Sequence, residues 1–307
     1  MKMEEERGKT RGGIDNLFLE VRKYRSNREY QDLLDFVGRF RSVAPYNAML
    51  LNIQRPGSKY VATVKEWKRK FGRTIKVGAM PLMILIPFGP VKFVYELSDT
   101  EGKDFPQELL DPFSAHDGTV SVECYQKLVN EVKYDGILCS ERDYGNQMCG
   151  LAAPSGGNKY QYVEKKSKRY KISVLYEVVL NRNSPVTTRF TTLVHELGHI
   201  YCGHLGSCGK SWLPDRRAFA EAEIPSEFEA ESVSWMICQR LGVLGSSDKY
   251  LHARLGDGEE IPRISPETVL KAANLIDARL SGKVRIREDI TGIEQKEPVQ
   301  KGSWGSK

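Results

Sequence analysis

Apolar residues recur along this chain in two rhythms, one helical and one alternating. Three- and four-residue spacing from Tyr30 to Phe40 predicts a helix, which Ser42-Val43-Ala44-Pro45 breaks before a second helix from Tyr46 to Gln54. Met83 to Pro87 and Val91 to Leu97 read as strands joined at Phe88-Gly89-Pro90. Val122 to Val132 fits an amphipathic helix and Ser155 to Lys159 a turn between strands. The β-branched and aromatic run from Tyr170 to Leu180 reads as one strand, an edge that could hold an extended peptide by main-chain pairing. Phe190, Leu193, Val194, Leu197 and Ile200 return to helical spacing. Pro225 opens a further helix through Cys238, and Ser265-Pro266-Glu267 caps one that reaches Leu280 and is expected to buttress it. The mixture predicts an α+β protein.

The polar side of the helix around Leu193 changes the picture. His195-Glu196-Leu197-Gly198-His199 places two imidazoles four residues apart, on one helical face, with a carboxylate between them. Neutral imidazole nitrogens suit zinc, and a catalytic zinc takes three protein ligands and leaves one position for water. His195 and His199 are therefore metal-ligand candidates, and Glu196 is the candidate general base.

A third ligand must come from elsewhere. His204 misses the His-Glu-x-x-His-x-x-Gly-x-x-His register by one residue, since Cys202 stands in the Gly position and Leu205 in that of the third His. It reads instead as a local polar residue at the helix end. The helix opened by Pro225 offers Glu227, Glu229 and Glu231. Glu227 and Glu231 share a face with Ala230 and Ser234, while Glu229 lies roughly opposite and is expected to face solvent. We assign Glu227 as third ligand and Glu231 as the acceptor orienting a ligating imidazole, with an exchange of these two roles as the alternative.

Phe190 to Leu205 followed by Glu227 to Leu241 resembles the gluzincin-type core of the ImmA/IrrE metallo-endopeptidases, and is closer still to the metallopeptidase half of ArdC-like proteins. In the first pattern a Glu precedes an Ala by three residues and an Asn or Asp by four. Glu227, Ala230 and Glu231 occupy those places, with Glu231 as the departure.

Composition adds limits. The 307 residues allow two domains, with 46 basic against 40 acidic side chains and a net charge of +6. No run is apolar enough to span a bilayer and the charged start is no signal peptide, so a cytoplasmic protein without membrane partners is expected. Cys124, Cys139, Cys149, Cys202, Cys208 and Cys238 show no Cys-x-x-Cys spacing and read as free thiols. Cys202, His204 and Cys208 match no usual zinc spacing either.

One basic segment bears on partners. Lys65 to Lys76 carries six basic residues against one acid, interleaved with Trp67 and Phe71. Cations on phosphates and rings on unpaired bases are the means of holding single-stranded nucleic acid, although rings four apart equally suit a helix's core face.

Leu33 to Gly102 resembles the N-terminal single-stranded-DNA-binding domain of ArdC-like antirestriction proteins. The points of likeness are Phe40 with Asn47, Gln54-Arg55-Pro56, Trp67 to Gly72, Lys76-Val77-Gly78 and Ser98 to Gly102, with Ala79 and Lys70-Phe71 as departures. The resemblance implies a small α+β nucleic-acid-binding domain over 30–114 and a gluzincin-like metallopeptidase domain over 115–282, with a mixed sheet, a His-Glu-x-x-His helix and a Glu helix. Residues 1–29 and 283–307 would be a flexible start and a disordered tail. It implies Arg39, Arg41, Tyr46, Asn47, Arg55, Lys68, Arg69 and Arg73 as DNA contacts, Tyr46 by stacking. The expected cofactor is Zn2+, and the expected partners are single-stranded DNA and a protein or peptide substrate. The expected function is a zinc metallopeptidase with an antirestriction or regulatory role on a mobile element. One alternative is a non-enzymatic DNA-binding antirestriction protein with a structural zinc, and another a peptidase whose N-terminal domain binds a protein.

Overall fold

The computed structural model describes residues 27–86, 91–110, 118–144, 149–165, 168–243, 261–282 and 286–293. The expected turn at Phe88-Gly89-Pro90, the start up to residue 26 and the tail from 294 lie outside these. The chain is α+β. It opens with helices α1 (Asn27–Arg39) and α2 (Pro45–Gln54), then β1 (Val61–Ala62), α3 (Val64–Phe71), β2 (Arg73–Ile75), β3 (Leu82–Ile84), β4 (Lys92–Glu96) and β5 (Thr100–Gly102). There follow α4 (Val122–Glu131), β6 (Ile137–Arg142), β7 (Gly150–Pro154), β8 (Tyr160–Lys165), β9 (Lys168–Ser173) and β10 (Tyr176–Asn181). The last elements are α5 (Val186–Tyr201), α6 (Arg217–Ala220), α7 (Glu223–Leu241), α8 (Pro266–Leu280) and β11 (Thr291–Ile293). The described strands form sheets ordered β1-β4-β3, β6-β10-β7 and β11-β9-β8, and a β2-β5 pair.

Local chemistry explains several of these boundaries. Thr63 and Glu66 close a capping box at the start of α3, and Gly72 ends it in the left-handed region at φ 62°. Ser265 caps α8 by accepting from the Thr268 N–H, with Pro266 next in the chain. The outer edge of β3 is closed by side chains of α2. Asn47 Nδ2 donates to the Leu85 carbonyl and its Oδ1 accepts from the Leu85 N–H, both at 2.9 Å. Gln54 does the same for Met83, at 2.8 Å in each direction. Two amides thus stand in for a neighbouring strand and blunt an exposed edge.

The core departs from the expected division at residue 114. Tyr30, Leu33 and Val37 of α1 and Met49 and Leu51 of α2 share one apolar cluster with Phe190, Leu193 and Leu197 of α5, Phe228, Val233 and Met236 of α7, and Ala272 and Ile276 of α8. The Tyr30 and Phe228 rings lie 5.8 Å apart. Arg240, nearly buried, stitches the same elements together. Its guanidinium donates to the Val37, Phe40 and Val43 carbonyls at 3.0, 3.0 and 2.7 Å and to Asp277 at 3.0 Å. A separate small core gathers Ala62, Trp67 and Phe105 with Tyr60, Phe71 and Tyr95.

Three expectations are corrected. The run Tyr170 to Leu180 is two strands, because Leu175 and Tyr176 both donate to the Gly136 carbonyl and turn the chain from one sheet into another. β10 is therefore central, between parallel β6 and antiparallel β7, and the edge beside α5 is β7. The tail beyond 283 is ordered in part: β11 pairs with β9, Ile290 is buried, and Arg287 joins Arg279 and the Tyr201 hydroxyl on the buried Asp135 carboxylate. The helix expected from residue 30 already includes Asn27.

Because Arg240 bridges α1, α7 and α8, Arg240→Ala should destabilise the whole chain by about 3 kcal/mol, leaving three carbonyls and Asp277 without their donor. Urea unfolding followed by circular dichroism should show one cooperative transition at lower denaturant. A variant that melts α1 and α2 separately would contradict the shared core.

Candidate metal centre

Helix α5 buries Phe190, Leu193, Val194, Leu197 and Ile200 completely, which turns His195 and His199 toward α7. The two helices approach closely where Gly198 faces Ala230. A Cβ at Gly198 would stand 3.0 Å from the Ala230 Cα and 3.1 Å from its carbonyl oxygen, so a side chain there would force the helices apart. That approach carries Glu227 to the imidazoles. His195 Nε2 and His199 Nε2 lie 3.1 Å apart, and Glu227 places its carboxylate oxygens 3.4 Å from the first and 3.3 Å from the second.

These separations test whether the donors fit a metal. Zinc bonds to nitrogen or oxygen of about 2.0–2.1 Å in a tetrahedron require donors roughly 3.3–3.4 Å apart. Two imidazole nitrogens 3.1 Å apart, each 3.3–3.4 Å from one of the two oxygens of the Glu227 carboxylate, are close to that requirement. The charge of the pocket agrees. Burial alone would lower the His195 imidazole, but Glu227 and Glu231 outweigh it and push the group up to about 10. Hydrogen bonds from His195 and His199 hold Glu227 well below the usual carboxylate range.

Each imidazole is held from behind. His195 Nδ1 lies 3.5 Å from Glu231 Oε1. His199 Nδ1 lies 3.0 Å from His204 Nδ1, and His204 Nε2 lies 2.9 Å from Glu229 Oε2. Glu229 also accepts from Arg216 at 2.6 and 2.8 Å and from the Ser265 N–H at 2.8 Å. Proton positions follow from the network. Were His199 Nε2 to hold a metal, its Nδ1–H would donate to His204 Nδ1, and His204 Nε2–H to Glu229. Burial depresses His204 and Glu229 offsets this only in part, so His204 stays neutral and can accept.

This corrects the sequence reading of Glu229, which is fully buried. The face opposite Glu227 meets the Cys202-to-Arg216 segment and the start of α8, not water. A signal was present: no charged residue follows Glu231 until Arg240, as in a helix covered all round. His204 was missed as a partner because its role depends on that same burial. Cys202, His204 and Glu229 also lie close together, but Arg216 neutralises Glu229 and burial keeps the Cys202 thiol protonated. The group is an ion-pair network. Cys208 stands apart, exposed, with its thiol toward the Leu175 carbonyl at 3.7 Å.

Glu196 reaches from α5 to the edge strand β7, where it meets the Ala152 main chain. Burial raises its carboxyl, while His195, His199 and the Ala152 N–H on β7 pull it back.

The expected DNA contacts are scattered. Asn47 is committed to β3, Arg41 donates to the Gln239 carbonyl at 2.7 Å, and Tyr46 is buried in the core. Arg55 pairs with Asp99 and donates to Ser98 at 2.9 Å, and Arg73 holds Thr100 at 2.7 and 2.9 Å and the Lys103 carbonyl. Arg39 on α1 and Lys68 and Arg69 on α3 are exposed. Trp67 is fully buried and Phe71 packs on it, so this segment's rings serve the small core.

No protein-family profile and no curated protein matches the chain. A similar solved structure is the metal-free crystal structure of the antirestriction protein ArdC from the R388 plasmid. It is 15% identical with a TM-score of 0.34, and the likeness covers 83% of this chain and 99% of that one. No helix among the described residues is long and apolar enough to cross a membrane.

Two substitutions test the support behind His199. His204→Ala and Glu229→Gln should each weaken zinc binding about 10- to 100-fold in competition with a chromophoric chelator. Unchanged zinc affinity in both would show that His199 needs no such support.

Proposed function

We propose that this chain is a zinc-dependent peptidase coupled to single-stranded-DNA binding. The observation that carries the peptidase reading is the convergence of His195, His199 and Glu227 at 3.1–3.4 Å, with Glu196 between the two His residues in sequence and hydrogen-bonded to the edge strand β7. His195, His199 and Glu227 would hold the ion, and Glu231 and His204 would orient its imidazoles. Zinc, when bound, supplies Lewis acidity toward water and a carbonyl oxygen.

The remaining work falls to the chain's own groups. A peptide laid antiparallel along β7 would pair with the outward main-chain groups of that strand other than the Ala152 N–H, which Glu196 holds, and so be fixed in extended form. Glu196 removes a proton from the attacking water as the carbonyl carbon becomes tetrahedral. It then delivers that proton to the leaving amine as the C–N bond breaks. The helix that carries the two His residues also carries Glu196, whose side chain would make both transfers.

The DNA-binding part rests on the sequence resemblance of Leu33 to Gly102 and on the exposed cations of α3. Phosphate neutralisation by Lys68 and Arg69 is sequence-independent and salt-sensitive. An antirestriction role on a mobile element is what that resemblance implies, with a DNA-bound regulatory protein as the substrate class.

Glu196→Gln separates this reading from one in which the ion is structural. The variant should keep one equivalent of zinc and lose hydrolysis of a quenched fluorescent peptide mixture by about 10²- to 10⁴-fold. Hydrolysis and antirestriction both surviving with zinc retained would sink the peptidase reading.

A further inference from the structure

The segment Lys159 to Lys171 carries six basic residues against one acid, the same balance as Lys65 to Lys76. The two differ in what their rings do. Trp67 is fully buried, whereas Tyr160 and Tyr162 are 47% and 46% exposed.

Strand alternation sorts the hairpin into two faces. The inner face, with Val163 and Ile172, packs on Tyr134 and Ile290, and Gln161 is tied to the Lys133 and Ile137 carbonyls at 3.1 and 3.3 Å. The outer face holds Tyr160, Tyr162 and Glu164 on β8, opposite Ser173, Lys171 and Arg169 on β9. Lys171 Nζ sits 4.0 Å from the Tyr160 ring centre and the Arg169 guanidinium 4.3 Å from that of Tyr162. On the next strand Gly292 lies opposite Lys171, so no side chain of β11 crowds that position. The surface is anchored from below, flat, basic, and paved with half-open rings.

We infer that the outer face of β8–β9, through Tyr160, Tyr162, Arg169 and Lys171, is a binding surface for single-stranded nucleic acid. Each ring carries a cation over one face and is about half exposed, so phosphates can meet the cations and unstacked bases the open part of the rings, in turn along one track. The chemistry disfavours other polyanions. Duplex DNA hides its base faces, an acidic peptide lacks flat rings to stack, and a lipid surface is met by aliphatic or indole side chains that this face does not carry. The inference rests on the nucleic-acid part of the proposed function and places a surface on the peptidase side of the chain.

The test is fluorescence anisotropy of the full chain with a labelled oligothymidylate across a salt series. Tyr160→Ala with Tyr162→Ala should weaken binding by at least about tenfold. Tyr160→Phe with Tyr162→Phe, which keeps the rings, should bind like the parent. Arg169→Ala with Lys171→Ala should make the slope of log affinity against log salt shallower by about 1.4. Circular dichroism should match the parent in each, as expected of exposed positions, and a ring-loss variant rescued by Phe but not Ala excludes misfolding as the cause. Full affinity in the Tyr→Ala variant overturns the inference. If Lys68→Ala with Arg69→Ala then abolishes binding, the nucleic-acid reading survives with its site on α3. A parent chain that binds anionic vesicles or acidic peptides but no oligothymidylate overturns both.

Discussion

The contact of Gly198 with the backbone of Ala230 is the constraint on which the centre depends. His195 and His199 share a helix and are neighbours by helical spacing alone. Glu227 reaches them because α5 and α7 meet at a position with no side chain to separate them. The same approach sets the other face of α7 against the Cys202-to-Arg216 segment and α8, which is why Glu229 is buried beneath the ligand carboxylate's helix turn. A few tenths of an ångström between two helices thus decide whether three donors meet.

Burying charge behind that contact is costly unless every charge is matched. The chain matches Glu229 with a two-pronged Arg216, the Ser265 N–H and the neutral His204, whose hydrogen bonds outweigh burial and keep the carboxylate ionised. Asp135 is treated alike, by Arg279, Arg287 and Tyr201. The two clusters act at different places. One stiffens His199 from behind, while the other ties the β11 segment and α8 to the sheet below. Arg240 makes a third junction, on three carbonyls and Asp277, and fastens α1 to α7 and α8.

What was legible in the sequence had local causes. The His-Glu-x-x-His face, the helix with Glu227 and Glu231, which begins at Glu223 ahead of Pro225, and the Ser265 cap each announce themselves within a turn or two of helix. What was not legible had distant causes. Nothing near Val174 and Leu175 marks a break, which is made by the carbonyl of Gly136 nearly forty residues earlier in the chain. Glu229 looks solvent-facing on a helical wheel until its covering segments are known. Arg55, Arg73 and Asn47 look like ligand-binding residues by type, yet their partners are Asp99, Thr100 and Leu85, and β3 depends on the last of these contacts. By sequence the hairpin at Tyr160 has the same basic balance as the segment around Trp67, and only exposure distinguishes its rings.

The proposed ion would be held by two imidazoles and a carboxylate, with the cysteine of the neighbouring network left out. X-ray absorption at the zinc edge, on the purified chain loaded with one equivalent, reads this directly. The predicted spectrum contains only nitrogen and oxygen neighbours at about 2.0–2.1 Å, with the outer-shell scattering of two imidazoles. A sulfur neighbour at about 2.3 Å, or a third imidazole, would place the ion with Cys202 or His204 and contradict the centre described here.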